Sequence, residues 1–172
     1  MKFNTHGVVE PGLHRYSLEK FKKEFIDSFP ASQSRKCIFD EFIILLQKLT
    51  VNYQPTEIWL DGSYVTNKLN PNDLDLLVFL NVEDWIKFNE DNCIEKLRDN
   101  HLLDAYVAIS STNENLEKVS QDDSNVIINQ RNYWRGQFGY DRNDIPKGII
   151  VIENDMIEQY MKGGEKMCIR DR

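Results

Sequence analysis

The chemistry in this sequence is concentrated in two runs separated by a short polar loop: Gly62-Ser63, and then Asp73-Leu74-Asp75. Side chains on a strand alternate faces, so Asp73 and Asp75 point one way while Leu74 and Leu76 point into a core. Two carboxylates side by side at the start of a buried strand repel each other, and they are costly unless a cation or donor compensates them. Mg²⁺ is the natural compensation, because it takes oxygen ligands, commonly one or two carboxylates together with phosphate oxygens. Two such ions about 4 Å apart can hold both the attacking and the leaving oxygen of an in-line phosphoryl displacement. Gly62-Ser63 supplies the other half. A glycine lets the backbone come close to a phosphate, whose oxygens exposed N–H groups and the Ser63 hydroxyl can bind.

These residues need strands to present them. Glu57-Ile58-Trp59-Leu60-Asp61 is short and apolar on both faces, as a buried central strand should be, and Gly62-Ser63 breaks it. Leu74 to Leu80 reads as a second strand, Leu102 to Ile109 as a third and Ile149 to Ile152 as a last one. Helices are expected around them. Ser17 offers an N-cap to a helix carrying Leu18, Phe21, Phe25 and Phe29, which Pro30 ends. A second helix runs from about Ser34 to Leu49, with an apolar set broad enough to pack on a sheet. Asn81 to about Arg98 has the spacing of one or two helices, with Trp85, Ile86, Ile94 and Leu97 as its apolar positions. Ser110 to Asn125 reads as a loop or surface helix, and Val126 to Phe138 as a helix that Gly139 ends. Gly7, Pro11 and Gly12 punctuate an irregular N-terminal arm. The expectation is one α/β (α+β) domain, a short mixed sheet packed against helices.

The order strand, Gly-Ser, loop, Asp-x-Asp, strand resembles the signature of the polymerase-β-like nucleotidyltransferase superfamily. Leu60, Gly62, Ser63, Asp73 and Asp75 fill its positions, with Asp61 intervening before the glycine. The resemblance implies a nucleotidyltransferase fold, a nucleoside triphosphate substrate, two Mg²⁺ ions held by Asp73 and Asp75, and a third carboxylate on a later strand that acts with the metals and as base for the attacking hydroxyl. Asp104 is the candidate for that third acid. It shares a face with Tyr106, opposite Leu103, Ala105 and Val107, and a lone acid inside an apolar strand needs a reason such as a metal site. Nucleotide phosphates also need cationic partners. Arg131, Arg135, Arg142 and Lys147 are the candidates, with Lys147, between Pro146 and Gly148 at a strand entrance, placed first. Trp134 and Tyr133 could stack on a base, but aromatics on a helix are more often core, so they stay outside the expected site.

More broadly the chain resembles an uncharacterised family of small bacterial nucleotidyltransferase-like proteins, through the arm Gly7 to His14 and the segments Phe138 to Arg142 and Pro146 to Ile150. Some related small nucleotidyltransferases act in toxin–antitoxin or phage-defence pairs and modify a partner protein or RNA. Those often carry Arg and Ser in the loop before Asp-x-Asp, where this chain has Lys68, Pro71 and Asn72. The two functions implied are nucleotidyl transfer to a hydroxyl of a protein, RNA or small molecule, and a non-catalytic nucleotide- or partner-binding module of such a pair.

Bulk properties narrow the field. The 172 residues fit a single domain, and the net charge of −7 argues against an extended grip on DNA. The longest apolar runs are too short to cross a membrane and no signal-like stretch follows Met1, so a cytoplasmic protein is expected. Cys37, Cys93 and Cys168, like His6, His14 and His101, lack metal-ligand spacing. Residues 167–172, Met-Cys-Ile-Arg-Asp-Arg, resemble the translation of a transposon-end adapter used in sequencing libraries, so the domain is expected to occupy residues 1–166 with a non-native tail. So short a domain leaves little room for an acceptor-binding unit, and a second copy or a partner toxin is the expected way to complete the cleft.

Overall fold

A computed structural model describes residues 3–91 and 100–164. Its centre is a five-stranded mixed sheet of β1 (Gly12–Arg15), β2 (Glu57–Asp61), β3 (Leu74–Leu80), β4 (Leu103–Ile109) and β5 (Gly148–Glu153), in the order β1-β5-β2-β3-β4. The pairs β1–β5 and β3–β4 are parallel, whereas β2 runs antiparallel to both of its neighbours. Among the described residues the α-helices are α1 (Leu18–Lys22), α2 (Arg35–Asn52), α3 (Val82–Glu90), α4 (Asn113–Leu116), α5 (Gln121–Phe138) and α6 (Asn154–Gly164).

The expected strands β2 and β3 stand where the alternation puts them, and β4 begins one residue later than expected. Local signals set the helix starts. Ser17 Oγ accepts the Lys20 N–H at 3.1 Å at the head of α1, which passes at Lys23–Asp27 into a wider π turn instead of continuing regularly to Phe29. Asn81 Oδ1 accepts from the Asp84 N–H at 2.7 Å to cap α3. The expected second half of that segment, with Cys93, Ile94 and Leu97, lies outside the described residues, as does the suspected tail from Met167.

Three expectations need correction, and one helix was not foreseen. The N-terminal arm is not wholly irregular, since Gly12–Arg15 forms β1; a strand of four residues draws its order from pairing with β5, far along the chain. Helix α2 runs on to Asn52. Helix α5 begins at Gln121 rather than Val126, because Ser120 caps it through the Asp123 N–H (3.1 Å) and Asp122 and Asp123 suit its first turn, although that turn has no apolar residue to reveal it. Helix α6, which buries Ile157, follows directly on β5.

Strand alternation divides the core into two. Ile58, Leu60, Leu74, Leu76, Val78 and Ile150 pack with Phe21, Phe25, Phe42 and Leu46 of the N-terminal helices. On the other side Trp59, Leu77, Phe79 and Val151 meet Phe138 and Trp134 of α5. The Trp59 and Phe79 rings stand edge to face at 4.9 Å, and the Arg131 guanidinium lies over both while it pairs with Glu57. Asp61, Asp75 and Asp104 continue this second face beyond the end of its apolar patch.

Candidate active site

Where β2 ends, Gly62 takes φ +76°, and a Cβ built there would lie 1.7 Å from Asp75 Oδ2. Only glycine satisfies both conditions. The tight turn Gly62–Val65 that follows is fixed from beneath by Arg35, a fully buried cation. Its guanidinium donates to the carbonyls of Phe25 (2.9 Å), Tyr64 (2.7 Å), Thr66 (2.8 Å) and Lys68 (2.6 Å). The Tyr64 hydroxyl donates back to Arg35 O at 2.7 Å. Burial draws the Arg35 pKa down to about 10, which still leaves it charged at neutral pH. The backbone of the glycine–serine turn is thus held by the core, with Ser63 half-buried at the surface of the cleft.

The acids are aligned by register. Asp61 pairs with Asp75 across the antiparallel β2–β3 ladder, and Asp75 with Asp104 across the parallel β3–β4 ladder. In-register residues of neighbouring strands point to one face, so three carboxylates form a row across the sheet, with Asp73 two residues from Asp75 on the same side. Burial first, then the charges of Asp73 and Asp104, push the Asp75 carboxyl above the ordinary carboxylate range, against the pull of Lys147. Asp104 is exposed, and its Oδ2 accepts a 2.8 Å bond from the Tyr106 hydroxyl. Burial and that bond raise the Tyr106 pKa to about 12, so the phenol keeps its proton.

Asp61 and Lys147 are both buried and meet at 2.8 Å. Burial pushes the Asp61 carboxyl up to about 6 while the ammonium pulls it down. Its second oxygen, Oδ1, is buried without a partner. Lys147, expected to bind phosphate, lines the cleft but has its ammonium engaged by Asp61. Arg131 is committed to Glu57, and Arg135 is not in the cleft wall, whereas Arg142 is.

The row forms the floor of a cleft of about 660 Å³, a volume suited to a cofactor-sized ligand. One wall is the N-terminal arm at Gly7 and Val8, joined to the loop after Ser63 by the Asn67 N–H to Gly7 O bond of 2.8 Å. The other is the loop from Tyr140 to Asn143, shaped by Asp141 Oδ1, which accepts the N–H groups of Asn143 (2.8 Å) and Ile145 (2.9 Å). Lys68 and Arg142 bring exposed cations to these two walls, and neither makes an ion pair among the described residues. Tyr106 and Trp134, ring centroids 4.5 Å apart, add an aromatic surface.

Among the described residues no three His, Cys, Asp or Glu side chains are gathered closely enough to hold a metal ion as they stand. Asp104 is turned toward Tyr106, whose hydroxyl donates to it. The chemistry of the donor set nevertheless fits a hard divalent cation. It consists of carboxylate oxygens, those of Asp75 lying against a glycine with no room for a side chain. Asp73, Asp75 and Asp104 are the residues that would hold it.

The structure therefore brings Gly62, Ser63, Asp73, Asp75, Asp104 and Lys147 into one cleft. Reading the sequence missed Asp61 as a fourth acid, although an aspartate closing an apolar strand was a signal, and it set Trp134 aside as core when the ring also lines the cleft. The profile of a family of unknown function, DUF6932, matches residues 1–153, and the chain belongs to that family. No curated protein and no solved structure matches it.

Proposed function

We propose that this member of a family of unknown function is a nucleotidyltransferase of the polymerase-β-like fold, moving a nucleoside monophosphate from a nucleoside triphosphate to an acceptor hydroxyl. The observation that carries the reading is the row Asp75–Asp104, with Asp73 beside it, set against a glycine–serine turn whose Gly62 has no space for a Cβ. Such a turn leaves N–H groups and the Ser63 hydroxyl for phosphate oxygens. Lys68 and Arg142, on opposite walls, would balance the remaining charge of the triphosphate. Asp73 and Asp75 would hold Mg²⁺, with Asp104 completing the set; when bound, the ions would neutralise phosphate charge and orient the α-phosphate. Asp104, the most exposed of the acids and held by Tyr106, would accept the proton of the incoming hydroxyl. Lys147 keeps Asp61 compensated, and Arg35 keeps the turn in place from behind. Because the protein mainly positions the triphosphate and meets its charge, few side chains suffice.

The test is transfer of α-labelled nucleotide in the presence of Mg²⁺, scored as label on any acceptor, including the protein itself, and as release of pyrophosphate. Asp73→Asn/Asp75→Asn is expected to lose on the order of 10³-fold in rate, and Asp104→Asn roughly 10²- to 10⁴-fold. Equal turnover by native and variant proteins would reject the reading. Tight nucleotide binding by the native protein with no turnover would assign it instead to a non-catalytic nucleotide-binding module.

A further inference from the structure

β4 is the outermost strand of the sheet, and among the described residues it pairs only with β3. The register shows which of its backbone groups are used. At one end the Leu74 N–H donates to Leu102 O (3.0 Å), and at the other the Ser110 N–H donates to Leu80 O (2.7 Å). A parallel ladder between those two bonds uses every second residue of β4, so Asp104, Tyr106 and Ala108 turn their N–H and C=O groups toward β3. Leu103, Ala105, Val107 and Ile109 turn theirs outward. The Leu103 N–H bonds Asn100 O (3.1 Å), but no described group takes up the N–H of Ala105 or Val107. Natural sheets shield such an edge with lysine, proline, a bulge or a very short strand. β1, at the opposite edge, is four residues long and ends on the Arg15–Glu153 ion pair. β4 is seven residues, Leu-Asp-Ala-Tyr-Val-Ala-Ile, with neither lysine nor proline.

We propose that this edge receives an extended peptide segment of a protein acceptor as a sixth strand, which delivers a Ser, Thr or Tyr hydroxyl to Asp104. The proposal rests on the nucleotidyl-transfer reading and names its acceptor class. A sixth strand would lie about 4.8 Å beyond β4. Its residue in register with Asp104 sends its side chain to the face of Asp104, so the acceptor hydroxyl is the next member of the row Asp61–Asp75–Asp104. Alternating free N–H and C=O groups are recognised by another peptide backbone. A nucleic acid would need cations there, and β4 carries none, on a chain of net charge −7. In the step itself, the peptide hydroxyl oxygen forms a bond to the α-phosphorus as the bond from that phosphorus to the α–β bridging oxygen breaks. Pyrophosphate leaves with that electron pair, and the hydroxyl proton passes to Asp104.

The experiment uses the full chain with Mg²⁺, the four α-labelled ribonucleoside triphosphates, and a library of 11-residue peptides with Ser, Thr or Tyr fixed at the centre. Ala105→Pro and Val107→Pro each remove one outward N–H and leave the β3 ladder intact. Native protein is expected to label peptides, and each variant to label them roughly tenfold less or worse while binding nucleotide as the native protein does. Should a variant fail to fold, N-methylation of the labelled peptides flanking the hydroxyl must reproduce the loss with native protein. Peptide labelling indifferent to both changes would overturn the proposal, as would labelling of added RNA but of no peptide, or a native dimer that the proline variants dissociate. Nucleotide binding by the native protein with no labelled peptide overturns this inference alone, whereas failure to bind Mg²⁺ and nucleotide at all overturns the reading beneath it.

Discussion

The two faces of the sheet are built from the same strands and obey different constraints. On the face under the N-terminal helices, Ile58, Leu60, Leu76 and Val78 are fully buried against Phe21, Phe25 and Phe42, with Phe21 and Phe25 rings 4.9 Å apart. On the other face the alternate residues start as core, Trp59 and Leu77, and end as acids, Asp61 and Asp75. A single strand can therefore anchor the fold on one side and carry mutually repelling charges on the other. Alternation keeps the two duties apart, residue by residue. The packed face supplies the stability that lets the acid face remain unfavourable by itself, the usual condition of a site that awaits a ligand.

The largest effect is expected where the packed face is emptied. Phe42→Ala removes a fully buried ring and should lower the unfolding free energy by about 3–5 kcal/mol in urea titrations. The molecules that remain folded should bind Mg²⁺ and nucleotide as the native protein does. A proportionate loss of binding in folded molecules would show that the two faces are coupled.

Next in size is the one buried ion pair of the acid face among the described residues. Lys147→Met leaves Asp61 buried with no counter-charge and should cost about 3 kcal/mol. Adding Asp61→Asn should recover most of it, because no charge is then left stranded. A double variant as unstable as the single one would mean that Lys147 acts through packing alone.

The same contrast explains what could be read from the sequence. Strands β2 and β3 and the common face of Asp73 and Asp75 follow from local alternation, and the aromatic core of the N-terminal helices follows from helical spacing. The missing parts depend on distant partners. β1 exists because β5 pairs with it, and the Asp61–Lys147 contact joins residues 86 positions apart. Reading the sequence does not single out Arg35; its partners are carbonyl groups, which every residue has, so no side-chain pattern could announce them. Asp104 could be singled out as an acid in an apolar strand, but its alignment with Asp75 is set by the β3–β4 register, which only the fold supplies.

The smallest expected effect has the opposite sign from the other two. Asp75 holds its proton more tightly in the folded protein than in the unfolded chain, because burial and the charges of Asp73 and Asp104 oppose its ionisation. Below the ordinary carboxylate pKa both states are protonated and the group costs nothing. As pH rises from there through the raised folded value, the unfolded chain releases its proton first, and the folded state loses stability. Above that window the cost is complete. Asp75→Asn keeps the shape and cannot ionise, so in chelator at pH 8 it should be more stable than native protein, by less than either change above, and the gap should close as pH falls toward the ordinary carboxylate range. Mg²⁺ with nucleotide should then stabilise the native protein and leave the variant nearly unmoved, reversing the order. If the variant is instead the less stable protein at pH 8 in chelator, the Asp75 carboxylate is already satisfied within the fold, and the acid face is as settled as the packed one.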